Sequence, residues 1–210
     1  MVRRHCIALG LLAGLAGFLP AEAAQPLART APTVLVVGDS LSAEYGLKRG
    51  SGWVALMEQR LVQEKIAATV VNASISGDTT SGGRARLPAL LAKHQPNVVI
   101  IELGGNDALR GLPLPMTQEN IQAMTQAAQA AKAKVVIVGM QMPPNYGQDY
   151  GARFAALFAT VAKANKTGLV PFLLKDVTDS QFQNDRIHPI EAAHPTILNN
   201  VWPAVKKQLS

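Results

Sequence analysis

A chain of 210 residues, 48% hydrophobic and carrying a net charge of +6, has the length for one domain with a sizeable core. Its basic residues (Lys48-Arg49, Arg84, Arg86, Lys132, Lys134, Lys206-Lys207) are scattered and form no stripe interleaved with aromatics, which argues against a nucleic-acid partner and leaves only weak attraction to anionic surfaces or substrates. A single cysteine, Cys6, excludes a disulfide framework.

Residues 1–24 read as a secretory signal peptide. Arg3, Arg4 and His5 form a basic start, Ile7 to Leu19 is apolar and ends at Pro20, and Ala21-Glu22-Ala23-Ala24 supplies small residues for cleavage. The apolar run is too short for a membrane span. Cys6 precedes that run, so it is not a lipid-attachment cysteine and leaves with the peptide. The expectation is a single domain over residues 25–210, exported to the periplasm or secreted, monomeric, with no stable membrane anchor after cleavage.

Thr33 to Val37 is a short apolar, β-branched run that reads as a buried strand. It delivers Gly38-Asp39-Ser40-Leu41-Ser42 at its carboxyl end, where an open α/β sheet places its ligand crevice. Alone the turn says little, because Gly, Asp and Ser are also the commonest turn residues. A loop runs through Gly52. Trp53, Leu56, Met57, Arg60 and Leu61 then recur at helical spacing to about Lys65. Ala67 to Val71 is a second strand, and Asn72 to Thr80 a polar loop leaving its carboxyl end. Gly83 to His94 reads as a helix with Leu87, Leu90 and Leu91 on one face, in which Pro88 is tolerable only within the first turns. Pro96 ends it, and His94 stands as a helix-end cation.

Asn97 to Leu103 is the third strand and delivers Gly104-Gly105-Asn106-Asp107. Thr117 reads as the cap of a helix through Ile121, Met124 and Ala128. Val135 to Gly139 is the fourth strand, followed by the loop Met142 to Gly147. Phe154, Leu157, Phe158 and Val161 mark a helix. Leu169 to Leu174 holds a fifth strand, with Pro171 pointing to a sheet edge. Ile197, Val201, Val205 and Leu209 line the dry face of a last helix, which Pro203 should bend or cut short. Five strand–helix alternations mean an α/β fold, a three-layer α/β/α sandwich around a parallel sheet. The polar loops then converge on one rim.

Acyl transfer needs a nucleophile, a base, a group that orients the base, and donors aimed at the developing oxyanion. Ser40 is the candidate nucleophile and His188 the candidate base. Asp185, three residues earlier in Asp185-Arg186-Ile187-His188-Pro189, can reach the imidazole Nδ1 and leave Nε2 for Ser40. The oxyanion donors would be the Ser40 and Gly77 backbone N–H groups and the Asn106 amide. Glu191-Ala192-Ala193-His194-Pro195 repeats the acid-x-x-His-Pro spacing, so His194 competes with His188; its default reading is a surface histidine at a helix start. Asp39 and Asp107 read as turn-stabilising carboxylates. No GxSxG elbow, GxGxxG loop or Walker motif is present.

The four segments GDSLS, SISGDT, GGND and DRIHP resemble the four blocks of the SGNH (GDSL) hydrolase family. Residues 84–91, 102–111 and 142–147 resemble its exported bacterial thioesterase, lysophospholipase and arylesterase members. The resemblance implies a flavodoxin-like five-stranded parallel sheet of order 2-1-3-4-5. It implies a Ser40–His188–Asp185 triad, so it favours His188 over His194, with oxyanion donors Ser40, Gly77 and Asn106. It also places substrate near Gly105 and along Met142, Pro143, Asn145 and Tyr146. The activity it implies is hydrolysis of short to medium carboxylic esters and thioesters, including lysophospholipids, through an acyl-enzyme, with no metal or cofactor. A carbohydrate O-acetylesterase or acetyl transferase of the same fold is the alternative. An aromatic content of 5% and the apolar stretches Leu109 to Leu114 and Met140 to Pro144 suit an acyl chain better than a sugar.

Overall fold

The computed structural model describes residues 31–210; the signal-peptide reading of residues 1–24 lies outside the described residues. Ala31–Ser210 forms one compact unit. Its sheet has the order β2-β1-β3-β4-β5 and every pairing is parallel. The strands are β1 (Thr33–Gly38), β2 (Thr69–Asn72), β3 (Val98–Glu102), β4 (Lys134–Val138) and β5 (Gly168–Val170). Strands buried on both faces lose the alternation of a half-exposed sheet and become nearly continuous apolar runs. Val34 to Val37 and Val98 to Ile101 are such runs, and all are buried. The edge strands β2 and β5 are shorter and less buried.

The helices are α1 (Trp53–Gln63), α2 (Thr80–His94), α3 (Gly105–Leu109), α4 (Leu114–Ala130), α5 (Gln148–Asn165) and α6 (His194–Leu209). Right-handed crossovers from a chain that starts at β1, moves left to β2 and then right to β5 put α1 on one face and α2 on the other. Accordingly α1 packs with α6, while α2, α4 and α5 lie side by side. The reversal between β1 and β3 is the topological switch point, and the loop carrying Ser40 leaves the sheet there.

Several boundaries differ from those expected. α2 begins at Thr80 instead of Gly83, because the Thr79 hydroxyl caps it by accepting the Gly82 N–H at 3.3 Å. Pro88 therefore sits inside the helix; it is exposed, where water can serve the carbonyl that loses its donor. Pro203 is likewise exposed and α6 continues past it to Leu209. α4 starts at Leu114, with Pro115 in its first turn, so Thr117 is a buried interior residue and not a cap. The segment that β3 delivers forms the short helix α3. Gly104 makes the entry possible: its φ is +123°, and a Cβ would stand 3.2 Å from the Phe158 ring.

His194 is not a surface residue. It is buried, and its Nδ1 accepts the Trp53 N–H at 3.0 Å. The residue preceding α1 is Gly52, which has no side chain to cap it, so a histidine from the far end of the chain does so. Burial holds its imidazole below the usual pKa, in the neutral form that can accept. His194→Ala should leave that N–H buried without a partner and cost about 1–3 kcal/mol, read as a lower urea midpoint. Ester hydrolysis by the folded fraction should stay within a few-fold of wild type.

Candidate active site

Five loops leave the carboxyl ends of the five strands, and all the sequence-predicted site residues stand on them or on α3. Ser40 lies in the first turn beyond β1. Its Oγ is 2.8 Å from His188 Nε2, and His188 Nδ1 is 2.7 Å from Asp185 Oδ2. The other Asp185 oxygen accepts the backbone N–H groups of Ile187 at 2.9 Å and His188 at 3.0 Å. The carboxylate thus closes the turn that carries the histidine and fixes its ring. The His188 amide above all, then the ring and the Ile187 amide, hold Asp185 at about 2, below the usual carboxylate range. The Tyr45 ring packs against the imidazole with centroids 4.3 Å apart. Gln183 accepts nothing from this pair but ties the two loops together, donating to the Tyr45 and Pro189 carbonyls at 3.1 Å each.

The three expected oxyanion donors come from the loops after β2, β1 and β3, neighbours in the sheet. Among the described residues, neither the Ser40 nor the Gly77 backbone N–H donates a hydrogen bond. Gly77 has φ +78°, a conformation that favours glycine, and its carbonyl accepts from Arg110 Nη2 at 2.8 Å. Arg110 follows α3, which also carries Asn106, so one guanidinium ties the second and third loops. The Asn106 amide donates to Asp39 Oδ2 at 3.0 Å, which uses one of its two protons and leaves the other.

Beneath the nucleophile lies a layer that sequence reasoning did not find. Glu102, at the end of β3, is completely buried. Its Oε2 accepts the Ser42 hydroxyl at 2.7 Å and the Asp39 N–H at 3.3 Å. Asp39 closes its own turn by accepting the Leu41 N–H at 3.0 Å, as expected, but it also holds Asn106. Burial is the main cause that pushes Asp39 up to about 6 and Glu102 well above the usual range; the Asp39 charge raises Glu102 further, and the Asp78 charge adds to the rise at Asp39. An acid whose folded pKa is raised binds its proton more tightly in the native state than in the unfolded chain. Its contribution to stability is therefore present below about pH 4.3, the ordinary glutamate value, and is lost as pH rises through the raised pKa. Glu102→Gln should flatten the fall in stability as pH rises above the ordinary glutamate range, measured by urea unfolding. An unchanged pH slope would remove Glu102 from this account.

Behind the oxyanion loops, Asp107 is buried and accepts the Thr80 N–H at 2.8 Å, the Thr80 hydroxyl, and the Thr117 hydroxyl at 3.4 Å. Asp107 is structural, as expected, and it pins the start of α2 to α3. Arg86 of α2 pairs with Asp78 at 2.8 Å and donates to the carbonyls of Ala73 and Gly38, joining the first two loops.

A cavity of about 230 Å³ opens among these loops, lined by Gly105, Leu109, Met140, Met142, Pro143, Phe172, Leu174, Phe182, Arg186 and Ile187. Of the residues expected to contact substrate, Gly105, Met142 and Pro143 line it. Asn145 and Tyr146 lie just beyond, exposed, in a short 3-10 turn spanning Pro144–Tyr146. The aromatic and aliphatic wall from the segment after β5 was not singled out from the sequence, because Phe172, Leu174 and Phe182 lie at no regular spacing.

The model of the GDSL-like Lipase/Acylhydrolase family matches residues 36–195. The chain is similar to the esterase TesA of Pseudomonas aeruginosa, 53% identical over 181 residues that cover 85% of this chain and 90% of that protein. It is 42% identical to thioesterase 1/protease 1/lysophospholipase L1 of Escherichia coli, over 86% of each. A crystal structure of TesA superposes with a TM-score of 0.82 at 52% identity, covering 84% of this chain and 99% of that one.

Proposed function

We propose that this chain, which belongs to the GDSL-like Lipase/Acylhydrolase family, hydrolyses carboxylic esters and thioesters of short to medium acyl chains by a serine mechanism, with lysophospholipids among its substrates. It is a carboxylic ester hydrolase, as its relatives named esterase, thioesterase and arylesterase are. The observation that carries the mechanism is the unbroken hydrogen-bonded line from Ser40 Oγ through His188 to Asp185, with contacts of 2.8 Å and 2.7 Å.

His188 Nε2 takes the Ser40 proton as Oγ attacks the carbonyl carbon. Charge collects on the carbonyl oxygen, against the Ser40 and Gly77 N–H groups and the Asn106 amide. The imidazolium is stabilised by Asp185, which remains ionised at any working pH because its pKa is about 2. His188 then hands the proton to the leaving alcohol or thiol, the C–O or C–S bond breaks, and Ser40 is left acylated. Water repeats the sequence and releases the acid. The acyl chain runs into the cavity floored by Met142, Phe172, Leu174 and Phe182, whose apolar wall suits a hydrocarbon. The enzyme acts as an exported monomer; among the described residues no helix is long and apolar enough to cross a membrane.

A p-nitrophenyl ester series from acetyl to palmitoyl, run beside an acyl-thioester and a lysophospholipid, tests this reading. Turnover of the short and medium esters and of the thioester is expected; a protein that cleaves none of them overturns it. Asn106→Ala should lower kcat by roughly 100- to 1000-fold, as loss of one oxyanion donor does, with KM little changed. Near-normal turnover in that variant would take Asn106 out of the oxyanion site.

A further inference from the structure

We infer that the rim of this mouth is a membrane-docking face, built to sit on an anionic phospholipid surface. Six large apolar residues are exposed among the described ones: Tyr45, Val62, Ile75, Leu109, Tyr146 and Ile187. Five of them, all but Val62, lie one on each of the five connections that leave the carboxyl ends of β1, β2, β3, β4 and β5, the edge of the sheet on which the site is built. Scattered exposed apolar residues need no explanation, but a ring with one member per loop is a patch. Leu109 and Ile187 belong both to the ring and to the cavity wall, so the apolar surface is continuous from the rim into the site.

The charges on the same loops are complementary to phosphate. Lys48 and Arg49 follow Tyr45, Arg110 follows Leu109, and Arg186 precedes Ile187; all four are exposed. Among the described residues Lys48, Arg49 and Arg186 make no ion pair. Three of the carboxylates of these loops are engaged, while Glu191, six residues after Asp185, is exposed and among the described residues makes no ion pair. Glu44 accepts the Gly50 and Gly52 N–H groups, Asp78 pairs with Arg86, and Asp185 with His188. Asp149 faces Arg153 at 3.7 Å, and Asp176 and Asp179 lie earlier on the segment that leads to Asp185. Apolar and aromatic side chains that enter the headgroup layer, flanked by cations that meet anionic headgroups, are how a protein lies on a membrane without spanning it. So docked, the mouth opens onto the layer that holds acyl chains, and a lipid ester enters without crossing water. That consequence rests on the proposed hydrolase function; the docking itself does not.

Ser40→Ala protein, which cannot consume the lipid, is mixed with vesicles containing phosphatidylglycerol and with vesicles of phosphatidylcholine alone, and sedimented at low and at high salt. It should bind the anionic vesicles, release at high salt, and bind the zwitterionic ones weakly. Adding Lys48→Glu and Arg49→Glu should weaken partitioning by roughly 30-fold or more. Ile75→Ser should weaken it several-fold, and Val62→Ser, far along α1, should not change it. In the Ser40 background these four substitutions should leave hydrolysis of soluble p-nitrophenyl acetate within about twofold. Docking is overturned if neither vesicle binds, if both bind equally, or if ultracentrifugation finds a dimer that Ile75→Ser dissociates, since a second copy then covers the rim. If wild type fails to cleave the soluble ester while vesicle binding holds, the hydrolase reading falls and the docking face stands.

Discussion

Ser40→Ala is expected to lower kcat for p-nitrophenyl esters by about a million-fold, the loss seen when a serine nucleophile is removed from a triad. The substitution deletes one half-buried oxygen and keeps the backbone N–H that would face the oxyanion. It touches neither the Asp39 turn nor Glu102, whose hydrogen bonds go to Leu41, Ser42 and Asn106. The urea midpoint and the circular dichroism spectrum should therefore match wild type, which separates loss of chemistry from loss of fold. Because the nucleophile and its base act as one unit, adding His188→Ala to Ser40→Ala should cost almost nothing further. A loss below about tenfold in the single variant would mean that another group attacks the carbonyl.

Asp185→Asn should lower kcat by about 10⁴-fold, with the direction of the effect fixed by the turn around it. One Asp185 oxygen accepts two backbone N–H groups and the other faces His188 Nδ1. An asparagine must keep its carbonyl oxygen toward the two amides, which turns its NH₂ toward Nδ1. The ring then carries its proton on Nε2 and can no longer accept from Ser40. His188→Ala should approach the Ser40→Ala loss, while His194→Ala, whose ring caps α1 and touches none of the triad, should lose stability but little activity. The acid limb of the wild-type profile should not report Asp185, because that carboxyl titrates only at about 2. Its contribution to stability is present above the ordinary aspartate value near 3.9 and is lost as pH falls toward 2.

The parallel sheet was legible because each strand is a short apolar run followed by a helical stripe, and two-sided burial permits little else. The order of the strands came with the four-block resemblance. The same resemblance named Ser40, Gly77, Asn106, Asp185 and His188 as candidates, and the loops bring Ser40, His188 and Asp185 into contact. What stayed hidden depended on tertiary partners. His194 looks like any histidine at a helix start until Gly52, 142 positions earlier by number, leaves the Trp53 N–H without a cap. Thr117 looks like a cap because threonine is a good one, yet its hydroxyl is used by Asp107 and the helix starts earlier on Leu114-Pro115. α3 is too short to show a period. Glu102 did carry a signal: a carboxylic acid ending the buried run Val98 to Ile101 conflicts with the pattern around it, and such conflicts mark sites.

The central claim is that a single alcohol, Ser40 Oγ, forms a covalent bond to the carbonyl carbon with His188 as its base. Diethyl p-nitrophenyl phosphate reports on that directly, since the attacking oxygen keeps the diethylphosphoryl group when nitrophenolate leaves. Intact mass followed by peptide mapping should find one adduct per chain, on Ser40, formed in step with loss of esterase activity, orders of magnitude more slowly in His188→Ala and not at all in Ser40→Ala. An adduct on any other residue that inactivates the enzyme, or full inactivation with Ser40 unmodified, would contradict it.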